Sequence, residues 1–229
     1  MDAFLTLLQL SDSAFPVGAA GHSGGLEGLV YHERVTSGDD CAEFARNYLH
    51  NLAGIDLPAC LLAQRLGLNW TAQEGQALLA LDLRLSSLKI SREGREASRG
   101  MGRRFLHNLE GNLTSAAIHF YDDAVKIGQA QAHQSIAFGL AGAACGAPRK
   151  EVGKAYAFNA LSTLIAAAQR LLPLGQTAAQ HLLTSLQPEI LSAVVEADLL
   201  TVEELGTFTP GLDFAAMRHS GQPTRLFIS

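Results

Sequence analysis

Helical period runs almost the whole length of this chain and strand alternation almost nowhere, which confines the fold to helices packed on helices. In TAQEGQALLALDLRLSSLK, residues 71–89, Leu78, Leu81, Leu85 and Leu88 step by three and four and share one helical face. Thr71 stands as the N-cap, with Glu74 completing a capping box. The next segment, 91–111, opens on Ser91 as an N-cap with Glu93 in the first turn, where the helix dipole favours negative charge. Ala97, Met101 and Phe105 give it a dry face; Arg92, Arg95, Arg99 and Arg103 give it a basic stripe, read as a solvated face in preference to an acidic partner's site.

The same reasoning predicts helices near 2–10, 23–34, 40–66 with a break at Pro58, 114–127, 130–145, 149–172, 175–186 and 188–204. Residues 155–172 are apolar nearly all round, as suits a helix at the centre of a bundle or against another subunit. Residues 206–229 carry Gly and Pro at intervals and little period. The expectation is therefore an all-α, single-domain bundle of about eight to ten helices over residues 1–205, followed by an irregular C-terminal tail, 206–229.

Composition narrows the function. Hydrophobic residues make up 48% of the 229 and charged ones only 17%, below the roughly 25% of an average domain. Such a chain is either unusually buried or gives surface to partners. A net charge of -5 offers no basic field for a phosphate backbone, so nucleic acid is not expected as a ligand. Cys41, Cys60 and Cys145 form no CxxC pair and read as buried thiols of a reducing compartment. The first residues lack a basic n-region, and no stretch reaches the roughly 20 apolar residues of a membrane span. A soluble, cytoplasmic chain is expected.

Three catalytic chemistries can be weighed. GHSGG, residues 21–25, matches the GxSxG pattern of a hydrolase nucleophile elbow, but that elbow needs a core strand before the serine and a sheet behind it. The preceding residues hold a proline and no strand, so Ser23 or His22 is read instead as a cap on the helix that follows. No GxxxxGK[ST] and no GxGxxG occurs, so any nucleotide belongs to a partner. Among the eight histidines none lies three or four residues from another, and none follows a glutamate by three. No cofactor and no metal ligand is assigned, although a transient ion contact at His22 or His219 stays open.

Four segments carry a resemblance. LLQLSDSAFPVGAAGHSGGLEGLV (7–30), SREGREASRGMG (91–102), RLLPLGQTAAQHLL (170–183) and MRHSGQPTRLF (217–227) resemble, in order, motifs of the urease accessory protein F (UreF) family. The chain departs from the family pattern at Ala20, Gly21 and Gly24, and at Ser220, Pro223 and Ile228, where Glu, Tyr and Arg are usual. The resemblance implies an all-helical protein that is not an enzyme. It implies association, as a homodimer, with UreD (also called UreH) and the GTPase UreG, in an assembly that delivers nickel to apo-urease and regulates the GTPase step.

Residue roles follow from it. Arg170 falls at the family's basic position linked to communication with the GTPase, although an arginine near a helix C-terminus is also an ordinary dipole partner. Pro16 and Gly18 read as a fixed turn, with φ set at Pro16 and positive φ open to Gly18, and His22, Ser23 and Gly25 read as structural groups of the next turn. Met217, Arg218, His219, Arg225, Leu226 and Phe227 are assigned to partner docking. An exposed end has no use for the adjacent apolar Leu226, Phe227 and Ile228, and the arginines add directional donors. The competing reading folds these residues back onto their own core. The rival functions are a helical interaction module unrelated to urease and, third, a GxSxG serine hydrolase.

Overall fold

The chain's smallest side chains, gathered in SIAFGLAGAA, build the helix at its centre. The computed structural model describes residues 2–219, 221–222 and 224–228; the side chain of His219 and the residues Ser220 and Pro223 lie outside that description. Among the described residues there are twelve α-helices, one 3-10 turn and no strand. In order they are α1 (Ala3–Leu10), the 3-10 turn (Ala19–Gly21), α2 (Leu26–Tyr31), α3 (Gly38–Gly54), α4 (Asp56–Leu68), α5 (Ala72–Leu88) and α6 (Arg92–Leu109). There follow α7 (Ala116–Lys126), α8 (Gln134–Ala144), α9 (Arg149–Leu171), α10 (Gln176–Ser185), α11 (Gln187–Ala197) and α12 (Pro210–His219).

The all-α bundle is as the helical period predicts, and the two helices beyond the ten read from the sequence have local causes. The long 40–66 segment divides at Ile55 and not at Pro58. Pro58 is the third residue of α4, in the first turn, where its missing N–H has no intrahelical bond to lose. The other is α12, inside the stretch expected to be irregular. Pro210 opens it and Asp213 lies in its first turn, both ordinary helix-start signals.

Residues Ser135–Ala143 of α8 and Asp56–Gln64 of α4 are buried without a break, so these two helices form the centre. They cross closely because Gly139 faces the Cys60 carbonyl, and Gly102 of α6 likewise faces the Ala132 carbonyl; a Cβ at either would strike that oxygen. The α9 helix, expected at the centre of the bundle or against another subunit, lies beside α4 and α8. Its larger side chains cannot approach so closely, and Phe158 remains partly exposed.

Buried polar groups tie the bundle together. Asp82 of α5 accepts hydrogen bonds from the Tyr121 hydroxyl (2.6 Å) and the Gln131 amide (2.9 Å). His133 is fully buried, with Ser86 Oγ 2.7 Å from Nε2 and Ser98 Oγ 3.0 Å from Nδ1. Asp56 accepts from Lys89 Nζ at 2.5 Å and Ser135 Oγ at 3.1 Å. Burial, and then the Lys89 charge, push the His133 imidazole down to about 3, so it is neutral at neutral pH.

Candidate functional site

Two turns and the C-terminus meet on one side of the bundle. In FPVG, the Val17 amide donates to Phe15 O at 2.7 Å around Pro16, and Gly18 takes the left-handed conformation at φ 77°. Two side chains of α6 hold this turn: Asn108 Nδ2 donates to Pro16 O (3.1 Å) and Arg104 Nη1 to Val17 O (3.2 Å). Ser23 is fully buried, and its Oγ accepts the Glu27 amide of the first α2 turn at 3.3 Å. Gly25, at φ 89°, is the N-cap of α2. His22 is half-buried, and burial, followed by the Arg104 charge, lowers its pKa.

The tail comes back onto this turn. Glu27, 6% exposed, receives two backbone amides through one carboxylate: Leu226 N at 2.5 Å and Phe227 N at 3.1 Å. Ile228 N donates to Gly21 O at 2.8 Å. Arg170, at the end of α9, bridges both segments: Nη1 donates to Ala20 O at 3.0 Å while the guanidinium lies 5.7 Å from the Phe227 ring centroid. Two departures from the family pattern therefore meet, since a Cβ on Gly21 would lie 3.2 Å from Ile228 Cδ1.

Beside this joint lies a pocket of about 200 Å³ that is partly open to solvent. Its walls include Ser23, Tyr48, Asp56, Lys89, Met101 and Tyr156, together with Thr207, Leu212, Asp213 and Ala216 from the C-terminal segment. The segment carrying those last residues is pinned at its start too. Gly206 N donates to Gly54 O (2.9 Å), and Asn51 Nδ2 to Thr209 Oγ1 (2.5 Å).

Of the residues assigned to docking, Phe227 is 4% exposed and packed against its own chain, whereas Arg218, Arg225 and Leu226 are exposed and Met217 is partly so. Exposed apolar groups the sequence reading did not single out, Phe208 and Phe214 (89% and 64% exposed), join Met217 and Ile90 around a shallow surface groove. Glu27 was not anticipated either; a lone carboxylate in the apolar LEGLV was the available signal. Two of the four arginines of the basic stripe are engaged within the chain. Arg95 caps the end of α5 through Lys89 O and Ile90 O, and Arg92 pairs with Glu96 at 2.7 Å.

Among the described residues no three His, Cys, Asp or Glu side chains gather as a metal set, and no helix is long and apolar enough to cross a membrane. Fold and site together define an all-α protein whose polar side chains fasten its own C-terminal segment to a glycine-rich turn. The UreF family model matches residues 35–187. Curated relatives described as urease accessory protein UreF extend the match. The one from Paenarthrobacter aurescens is 32% identical over 98% of this chain and 97% of its own. Those from Arthrobacter sp. and Geobacillus kaustophilus are each 35% identical over 98% of this chain, and 96% and 97% of theirs. The chain belongs to the UreF family of urease accessory proteins.

Proposed function

We propose that the chain acts in the cytoplasm as a non-enzymatic member of a urease-maturation complex. It associates with UreD/UreH and the GTPase UreG, and the assembly inserts nickel into apo-urease while this chain regulates the GTPase step. The observation that carries this reading is convergence. Three of the four motif segments, 7–30, 170–183 and 217–227, are far apart in sequence yet meet through Arg170, Glu27, Phe227 and Gly21. A joint of this kind suits a protein that presents a shaped surface. Its buried serine serves as a cap, which supports a non-catalytic role over the hydrolase reading.

The UreD-docking surface is the exposed apolar groove of Phe208, Phe214 and Met217, continued in sequence by the exposed Arg218, with the exposed Arg225 and Leu226 of the tail as further contacts. Arg170 supports the GTPase reading, because it couples the 19–21 turn to the tail. The exposed Phe4, Leu5 and Leu8 of α1 form the contact of a homodimer.

Phe214→Glu tests the docking surface without touching the core. The variant is expected to fold with an unchanged circular dichroism spectrum, to lose co-purification with UreD and to fail in nickel-dependent urease activation. Full UreD binding by the variant rules this surface out.

A further inference from the structure

The first turn of α6 lines the pocket and leaves its hydrogen-bonding groups unused. Ser91 holds the N-cap position, yet its hydroxyl caps no amide and makes no hydrogen bond among the described residues. The residue is only 6% exposed and forms part of the pocket wall. A hydroxyl so enclosed and unpaired carries a cost that a bound molecule with a matching polar group removes. The backbone amides of Arg92, Glu93 and Gly94 precede the first bond of the helix, Arg95 N to Ser91 O at 3.1 Å, and are likewise without partners among the described residues. Gly94 keeps this turn clear, because a Cβ there would lie 2.8 Å from Ser91 Oγ.

Positive charge stands beside these donors. Lys89 lines the same pocket, and its ammonium uses one of its three donors on Asp56 Oδ2 at 2.5 Å. Arg95 Nη1 donates to Lys89 O and Ile90 O, which fixes residues 89–91 against the start of α6. The other walls decide which anion suits the place. Phe15, Met101, Phe105 and Phe138 supply apolar surface, and about 200 Å³ is more than the roughly 150 Å³ that encloses a benzene ring. Asp12, Glu93 and Asp213 line the pocket as well and make no ion pair among the described residues. Their charge repels a phosphate dianion about twice as strongly as a carboxylate. The opening to solvent admits a small molecule without a change of fold.

We propose that this pocket binds a small monocarboxylate with an apolar body, its carboxylate held by the Ser91 hydroxyl, the unpaired amides that open α6 and the Lys89 ammonium, and its body laid against the aromatic walls. The two carboxylate oxygens together accept several hydrogen bonds, so the hydroxyl, the amides and the ammonium can all be satisfied at once. The dipole of an 18-residue helix adds to the attraction at its N-terminus. The binding test needs no partner protein, so its outcome is independent of the urease reading.

The probe is benzoate, titrated into the full-length chain and followed by calorimetry and by amide NMR. Benzoate is expected to bind and to shift the Glu93 and Gly94 amide signals, whereas benzamide, which keeps the ring and loses the charge, should bind about tenfold more weakly. Ser91→Ala should weaken benzoate about tenfold, the change that loss of one hydrogen bond to a charged group makes. It should leave the unfolding temperature unchanged, because this serine makes no cap bond. Ser91→Asp sets a carboxylate of the protein's own in the same place. That variant should lose benzoate binding while keeping or raising the unfolding temperature, since aspartate is a good N-cap, and a loss of binding with no loss of stability is not an effect of damage to the fold. The proposal is overturned if benzoate leaves the Glu93 and Gly94 amides unmoved, if benzamide binds as tightly, if both Ser91 variants keep the parent affinity, or if inorganic phosphate displaces benzoate at equal concentration.

Discussion

Ser23 and His133 are both fully buried polar side chains, and each is kept in place by satisfying hydrogen bonds of the backbone or of neighbouring helices. Removing the Ser23 hydroxyl leaves the Glu27 amide without that acceptor, so Ser23→Ala should cost about 0.5–2 kcal/mol in urea unfolding and leave urease activation largely intact. Covalent labelling of Ser23 by a fluorophosphonate would reopen the hydrolase reading. His133 makes a pH prediction. Its folded pKa, about 3, lies below the 6.5 of an unfolded histidine, so below pH 6.5 the unfolded chain binds a proton that the folded chain refuses. The stability tied to the neutral ring is fully present above pH 6.5 and is lost as pH falls toward 3, by about 1.4 kcal/mol per pH unit. Urea titrations at pH 7, 6 and 5 should show that extra slope in the parent chain and not in His133→Asn. An equal slope in both excludes His133 as its source.

Helices are legible in this sequence because their signals are local: the 3.6 period of 71–89 and the N-cap positions Thr71 and Ser91 are set within one or two turns. The cap bonds themselves differ from the expectation: Thr71 accepts the Gln73 amide and bonds the Glu74 carboxylate through its hydroxyl in place of a capping box, and the Ser91 side chain caps no amide. Misjudged boundaries came where one local signal hid another. Pro58 drew attention from Ile55, and the glycines of the tail hid the Pro210 and Asp213 that start α12. The positive φ of Gly18 was likewise legible, since proline and glycine fix a turn by their own covalent geometry. What a sequence cannot display is which helix meets which. The crossing of α4 and α8 rests on Gly139 beneath the Cys60 carbonyl, and nothing near either residue in the chain announces the other. Gly139→Ala forces a methyl into that backbone contact and should destabilise by about 1–3 kcal/mol, or more if the helices cannot separate. Urea denaturation checks this; a neutral result would mean that α8 shifts freely. The hydrogen bonds from the tail to Glu27 were illegible for the same reason, its partner Leu226 lying 199 residues away.

At the scale of the whole molecule, the low charged fraction divides between a well-buried core and apolar groups left at the surface. On α1 these are neighbours: Phe4, Leu5 and Leu8 are 67%, 63% and 53% exposed and recur at helical spacing on an eight-residue helix. The other side of the same helix buries Leu7 and Leu10 against the bundle, and Asn159 of α9 anchors its C-terminal end through Ser11 O. A short helix fixed in this way cannot turn its outer side inward. Three large apolar side chains on one small element form the kind of contiguous patch that soluble chains cover by association. A second copy of the chain satisfies it most simply, because a two-fold axis sets each patch against its own image. Sedimentation velocity of the isolated chain should therefore show a concentration-dependent dimer. Leu5→Glu with Leu8→Glu should sediment as a monomer with the same helical content. A double variant that still dimerises places the contact elsewhere, and a parent chain that stays monomeric at tens of micromolar removes self-association through α1 altogether.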